Sequence, residues 1–338
     1  MNSPFKSLVA VVGGMIIIPT IISVIFYNGF KFEENKVSDK ENKREYINQE
    51  LVYKKSPYIT IYNHKKGKKE KMDIEKYLYG VLSGEMPAEF DIEALKAQAV
   101  AARSYVFYKK ENEDLTKHKG AVVCTDFNHC QEYKSEDELR KLKGDDWINN
   151  SYPKIKKAVD DTRGQIVTYN DKVILPLYFS TSSGKTENSE EVFSSKNPYL
   201  RSVDSPYDKA SPKYTSTFEI EKDDFVKSLK RNYKDLVLTE KDLSSQIKVL
   251  KKSEGGSVES IIIGNKELRG RDLRSIFNLN SSNFDINIDE KKVTFNVRGF
   301  GHGVGMSQWG ADGMAKEGFY YYEILSHYYT DTKIKDIY

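Results

Sequence analysis

The strongest constraint on the fold is a pair of helical patterns separated by a proline corner. From Asp73 to Ser83 the apolar side chains recur with the spacing of an amphipathic helix, and Asp73 is the expected N-cap. Gly84 is the expected C′ residue, and Pro87 cannot continue the helix. A second helical pattern begins at about Ile92. The sequence therefore predicts two helices joined by a short, stiff turn.

Glu85 lies in this turn and is the candidate general acid. A carboxylate held near the negative end of a helix should have its ionised form disfavoured and its pKa raised. A general acid needs such a pKa. The alternative is a solvated turn carboxylate, the commoner environment for Glu. Glu89, four residues later, is expected to be a surface or structural neighbour.

Overall charge and tyrosine content limit the classes of molecule that the protein could bind. Lys and Arg number 53 against 50 Asp and Glu in 338 residues, which gives a net charge of +3. This balance provides no electrostatic footprint for nucleic acid, so we expect no nucleic-acid partner. The 23 tyrosines suit a carbohydrate-binding surface, because each offers a flat ring and a hydroxyl. A Tyr-rich core would explain the count equally well.

Residues 7–30 contain no charged side chain and could cross about 30 Å of hydrocarbon as one helix. A cleavable signal peptide would have a shorter apolar region and a small-x-small cleavage site, which is missing before Asn28. We therefore predict that residues 1–30 form an uncleaved single-pass anchor in the cell membrane. Residues 31–55 have mixed charge and little apolar content, which predicts a flexible stalk.

The remaining residues, 56–338, have the pattern of a mixed α/β (α+β) chain. Alternating apolar residues predict strands at 58–62, 165–169 and 173–179. Between about 214 and 275 the pattern changes to a strand, a helix and a glycine turn before an apolar run. We predict that this segment is a second lobe inserted into the first.

Gly299, Gly301, Gly303 and Gly305 occupy every second position after a predicted strand, and a helix is predicted to begin near Met306. The spacing does not match a dinucleotide-binding turn, and no Gly-Lys-Ser/Thr follows. Alternating glycines instead predict a close approach of the backbone to a ligand or to a neighbouring strand.

Cys124 and Cys130 are the only cysteines, and His118 lies six residues before the first. Outside the cytoplasm, two cysteines usually form a disulfide. The equal spacings also suit Zn²⁺ with nitrogen and sulfur ligands. His129, water or substrate could supply a fourth ligand. The residues alone leave both interpretations open.

Four blocks of sequence occur in order along the chain: YLYGVLSGEMPAEFDIEALKAQAVAARSY (77–105), VCTDFNHCQEY (123–133), FSTSSGKTENSEEVF (179–193) and RGFGHGVGMSQWGA (298–311). Together they resemble the stage II sporulation protein D family of peptidoglycan lytic transglycosylases. The resemblance covers roughly residues 56–338. It implies a two-lobed extracytoplasmic domain that cleaves the MurNAc-GlcNAc bond of peptide-stripped glycan strands during engulfment. Glu85 would be the acid and base, and the products would carry 1,6-anhydro-MurNAc ends.

The resemblance makes Lys96 and Arg103 candidates for orienting Glu85 or the glycan, and it implies that Ser182 binds substrate. A close backbone approach at the alternating glycines would place three more substrate-binding candidates against sugar hydroxyls or N-acetyl groups: His302, Ser307 and Gln308. The structural alternatives are a surface ion pair for each of the two cations, a self-satisfied polar loop for Ser182 and a satisfied structural position for His302.

Some members of the family bind zinc through a similar cluster, so the resemblance favours Zn²⁺ at His118, Cys124 and Cys130. It further implies stage II sporulation proteins P and M as membrane partners. The main alternative function is a non-catalytic module that binds glycan or stimulates an amidase. A zinc amidase is less favoured, because H-E-x-x-H is missing and thiolate-rich zinc sites are usually structural.

Overall fold

The structure is a computed structural model that describes residues 55–112, 118–193 and 195–338. The predicted anchor and all but the last residue of the predicted stalk lie outside these ranges. Within them, no helix combines the length and the apolar character needed to cross a bilayer.

The described residues form a mixed α/β fold, as the sequence predicts at this coarse level. The helices are α1 (Ile74–Glu85), α2 (Ile92–Asn112), α3 (Glu136–Asn150), α4 (Tyr152–Asp161), α5 (Ser189–Val192), α6 (Lys222–Asn232), α7 (Gly270–Phe277), α8 (Gln308–Lys316) and α9 (Tyr321–Tyr328).

Short strands form five small sheets in the described residues. The strands are β1 (Tyr58–Asn63), β2 (Lys68–Asp73), β3 (Val123–Cys124), β4 (Gln165–Tyr169), β5 (Lys172–Val173), β6 (Tyr178–Phe179), β7 (Thr215–Glu221), β8 (Ile247–Lys252), β9 (Val258–Ile263), β10 (Lys266–Leu268), β11 (Phe284–Ile288), β12 (Lys292–Arg298), β13 (Met306–Ser307) and β14 (Lys333–Asp336). Their orders are β2-β1-β3, β14-β4-β5, β13-β6, β11-β12-β7 and β10-β9-β8.

Helix α2 is the centre of the first hydrophobic core. Its residues from Ala97 to Val106 are all buried, because small alanines on every face let other elements pack closely. Helices α1, α4, α8 and α9 and strand β4 all contact it. This packing fixes the end of α1 relative to the start of α8.

A second core brings together four phenylalanines, Phe225, Phe277, Phe284 and Phe295. Adjacent rings in this group lie 5.1–6.2 Å apart between centroids. The core draws on residues from 218 to 297, so it includes the β11–β12 hairpin beyond position 275. Both cores belong to one compact unit, residues 55–338.

Three predicted boundaries differ from the structure. The predicted strand at 173–179 is interrupted after Val173, because Pro176 has no N–H to donate to a sheet. Gly84 lies inside α1 and does not terminate it. A Cβ at Gly84 would come within 2.9 Å of Glu132 Cγ, so the glycine allows the 131–133 segment to lie against the helix. The helix predicted near Met306 begins two residues later, after β13.

Candidate active site

Glu85 is the last residue of α1, where its side chain meets three other segments of the chain. The Glu132 N–H donates to its Oε1 at 2.8 Å, and Gln308 Nε2 donates to its Oε2 at 3.4 Å. The Tyr178 hydroxyl also bonds the carboxylate. The side chain keeps partial access to solvent. One carboxyl group is therefore held by donors from three separate parts of the fold.

Burial raises the pKa of Glu85 from 4.5 to about 7. The bonds from Glu132, Gln308 and Tyr178 favour the carboxylate and lower the pKa, whereas repulsion from the Glu132 carboxylate raises it further. The direction of the predicted shift is confirmed, but its main cause is burial and not the helix end. Glu85 can thus hold or release a proton near neutral pH.

Tyr178 and Gln131 complete the immediate surroundings of the acid, and the sequence did not single them out. Gln131 Nε2 donates to the Tyr178 hydroxyl at 2.8 Å, which leaves the phenolic hydrogen for Glu85. Burial raises the pKa of Tyr178, so the phenol stays protonated. The only signal in the sequence was position: Gln131 lies inside one family block and Tyr178 directly precedes another.

Ser182, Ser307 and Gln308 are brought together by a buried carboxylate, Asp208. Ser307 is the N-cap of α8, where its Oγ accepts from Gly310 N and donates to Asp208. The backbone N–H of Ser182 donates to the same Asp208 oxygen at 2.7 Å. Asp208 thereby fixes the start of the helix that carries Gln308 to Glu85. No local motif indicated Asp208, which lies in a short turn 26 positions after Ser182 and 99 positions before Ser307.

His302 lies between the rings of Phe179 and Phe193, with centroids 5.6 and 5.5 Å away. The Val304 N–H donates to its Nδ1 at 3.1 Å, so the proton is on Nε2. Burial and the nearby Arg274 cation lower the pKa of His302 to about 4. The ring is therefore neutral near pH 7, and it also bonds the Tyr178 carbonyl.

The alternating glycines allow two backbone segments to pack closely together. All four have positive φ, between 76° and 120°. A Cβ at Gly305 would lie 2.1 Å from the Leu177 carbonyl oxygen, and one at Gly301 would lie 2.7 Å from Phe179 Cβ. The close approach predicted from the sequence is therefore to the chain around β6, which carries Tyr178.

Lys96 and Arg103 bond partners other than Glu85. Lys96 Nζ lies 2.8 Å from Glu93 and 3.4 Å from Asp161. Arg103 has no exposed side-chain surface and forms a two-point ion pair with Glu75, at 3.0 and 2.6 Å. In this position Arg103 joins α2 to α1 and has no surface for a glycan.

His118, Cys124 and Cys130 come together, and the structure adds His129. The four donor atoms all lie within 4.8 Å of one another, and both thiols are free. His118 Nε2 is 3.0 Å from His129 Nδ1, and Cys124 Sγ is 3.6 Å from the same His129 nitrogen. Ligand atoms around a tetrahedral zinc lie roughly 3.3–3.8 Å apart, so this N₂S₂ set is close to the spacing that the ion requires.

Comparison with known proteins places the chain in a family. A model of the family described as "Stage II sporulation protein" matches residues 62–169. Stage II sporulation protein D of Bacillus amyloliquefaciens is 35% identical over 339 residues, covering 98% of this chain and 96% of that protein. The chain belongs to the stage II sporulation protein D family. The Bacillus subtilis protein of the same name is 37% identical over 330 residues, covering 95% of this chain and 92% of the relative.

The stage II sporulation protein D match includes Glu85 and the complete N₂S₂ cluster within residues 62–169. Gln308 and His302 lie outside that range. A more distant relative, the "Amidase enhancer" of Bacillus subtilis, is 30% identical over 309 residues, covering 76% of this chain and 40% of that protein. Family membership thus connects the chain with sporulation. Of the three relatives described above, two are named for sporulation and one for enhancement of an amidase.

Proposed function

We propose that the chain is a peptidoglycan lytic transglycosylase with Glu85 as its single acid and base. The observation that carries the proposal is a partly exposed carboxyl with a pKa of about 7, held by Tyr178, Gln308 and the Glu132 N–H. Family membership supports the sporulation context.

This reaction needs one carboxyl group, where an ordinary glycosidase uses two. Protonated Glu85 donates its proton to the glycosidic oxygen as the C1–O bond of MurNAc breaks. The resulting carboxylate then takes the proton of the C6 hydroxyl of the same MurNAc, whose oxygen bonds C1. The product is a 1,6-anhydro ring, no water is consumed, and Glu85 is protonated again.

Two other carboxylates are close in sequence or in space. Glu89 is exposed on the turn after α1. Glu132 presents its backbone N–H to Glu85 while its carboxylate pairs with Lys134. The proposal assigns neither of them a proton-transfer step, so both provide matched controls.

The test is cleavage of purified peptide-free glycan strands by three variants of equal charge change. Glu85→Gln should lower the rate by roughly 10²- to 10⁴-fold, because the amide cannot deliver or accept the proton. Glu89→Gln and Glu132→Gln should each stay within about 10-fold of the unchanged chain on the same scale. Near-normal cleavage by Glu85→Gln would overturn the assignment.

A second candidate function follows from the relative named "Amidase enhancer". In this alternative the chain binds glycan and stimulates a separate amidase without cutting the strand. An amidase assay on intact peptidoglycan, with and without the chain, separates the two. Stimulation that survives Glu85→Gln, with no new saccharide ends, would favour the alternative.

We further propose that Zn²⁺ is bound by His118, Cys124, His129 and Cys130. With all four positions taken by protein, the ion would stabilise the 118–130 loop and supply no bond to the substrate. Attachment to the cell membrane through residues 1–30, with stage II sporulation proteins P and M as partners, stays part of the same proposal.

A further inference from the structure

A cleft of about 310 Å³ lies where the two hydrophobic cores meet. One wall is formed by α5 and Phe193, and Val192 at the end of α5 packs against the first core. The other wall is formed by the start of β9, the start of α7 and Ser282. The cleft therefore lies between the half of the fold that carries Glu85 and the half built on the phenylalanine core.

Most charged groups around this cleft have partners within the protein. The pairs are Glu190 with Arg201, Glu259 with Lys251, and Arg269 with Asp272. The remaining carboxylate, Glu191, accepts two backbone N–H groups. Each of these side chains is therefore bonded within the protein, three of them to a side chain of opposite charge and Glu191 to the backbone.

Two guanidinium groups on α7 are different: Arg271 lines the cleft, and Arg274 lies three positions further along the same helix, outside the lining. Arg271 donates to the Val192 carbonyl at 2.8 Å, and Arg274 donates to the Leu279 carbonyl at 3.3 Å. In the described part of the chain, neither has a carboxylate partner. Burial lowers the pKa of Arg274. Holding a partly desolvated cation without a counter-charge costs free energy, so these two groups provide unused capacity for an anion.

An exposed aromatic ring connects this pair of cations with the proposed acid. Phe193 is 39% exposed, and its ring contacts His302. His302 is also close enough to Arg274 for that charge to lower its pKa, and its ring bonds the Tyr178 carbonyl. The Tyr178 hydroxyl in turn bonds Glu85. Two residues, His302 and Tyr178, thus connect the exposed ring and Arg274 with the acid.

We propose that Phe193, Arg271 and Arg274 form a subsite for a MurNAc residue that carries no stem peptide. Phe193 would pack against a sugar face, as aromatic rings do with apolar surfaces. The guanidinium groups would bind the lactyl carboxylate, for which their planar donors are well suited. When a stem peptide is attached, this carboxylate is an amide without charge. The inference rests on the proposed function, because it takes a glycan strand as the ligand.

The test measures binding to the full chain carrying Glu85→Gln, so that the ligand is not consumed. Three oligosaccharides of equal length are compared: peptide-free glycan, the same glycan with its lactyl carboxylates converted to methyl amides, and chitin oligosaccharide. The carboxylate form should bind at least about 10-fold more tightly than the other two, since bonds to charged groups are the strong ones. Arg271→Gln and Arg274→Gln should each reduce this preference. Arg231→Gln, which removes an exposed cation from α6, should leave it unchanged.

Phe193→Ala should weaken binding of all three ligands. Equal affinity for the three ligands would overturn the subsite. Because this comparison changes only the ligand, the result is valid even if an arginine variant fails to fold. A preference that persists in both folded arginine variants would also overturn it. Binding does not require cleavage, so failure of the proposed function would show separately, as a chain that binds the carboxylate form and never cuts it.

Discussion

At the scale of single residues, the proposed reaction depends on the protonation of Glu85. Its pKa of about 7 lies above the ordinary value of 4.5, so the protonated form predominates below pH 7 and is lost above it. Because the reaction begins with donation of this proton, we predict that kcat/KM falls as pH rises through about 7. Initial rates on peptide-free glycan between mildly acidic and mildly alkaline pH would measure this limb. A rate that climbs steadily through the same range would contradict the assignment.

Tyr178→Phe provides the control for that profile. The Tyr178 hydroxyl stabilises the Glu85 carboxylate, so its removal should raise the pKa of Glu85 and move the falling limb to higher pH. A variant that only damaged packing would lower the rate without moving the limb.

At the scale of secondary structure, the pair of Arg103 and Glu75 joins α1 to α2. Both side chains are fully buried, and Glu75 also accepts from Gly164 N and from the Tyr338 hydroxyl. We predict that Arg103→Met lowers the free energy of unfolding by about 3–5 kcal/mol, because it leaves a buried carboxylate without its partner.

Lys96→Met is the matched control for Arg103→Met, on the same helix. Its ion pairs are partly exposed, so the expected loss is about 1 kcal/mol or less. Denaturant unfolding of both variants gives the comparison. Equal losses would show that Arg103 contributes no more than a surface cation.

The 118–130 loop is the second element with a direct test. Zinc bound by its four donors should contribute to folding, so purified chain should hold about one metal ion and Cys124→Ser should lose it and unfold more easily. Glu132 lies two residues after Cys130, and its N–H is bonded to Glu85. Removing the metal should therefore speed hydrogen exchange at the Glu132 amide. Absence of both metal and free thiols in purified protein would establish a disulfide instead.

At the scale of the whole molecule, the sequence predicted elements that depend on neighbouring residues better than it predicted contacts between distant segments. The α1–turn–α2 unit and the strands β1 and β4 were predictable, because each depends on periodicity or capping residues close in sequence. The extension of the second core to the β11–β12 hairpin was not, since that hairpin pairs with β7 across more than 70 residues.

The candidate site shows the same division. Glu85 could be selected because its own turn is informative. Asp208 and Tyr178 could not, because each acts through a contact with a distant segment and neither belongs to a local motif. The pairing of Arg103 with Glu75 was missed for this reason too, since 28 positions separate the two residues.

The central claim is that Glu85 catalyses attack by the substrate's own C6 hydroxyl. The most direct measurement is mass spectrometry of the saccharide ends formed when the full chain digests peptide-free glycan in water enriched in heavy oxygen. We expect 1,6-anhydro-MurNAc ends that contain no heavy oxygen, because water takes no part in the proposed reaction. Reducing MurNAc ends that carry heavy oxygen would contradict it, because water would then be the nucleophile and a second activating group would be required.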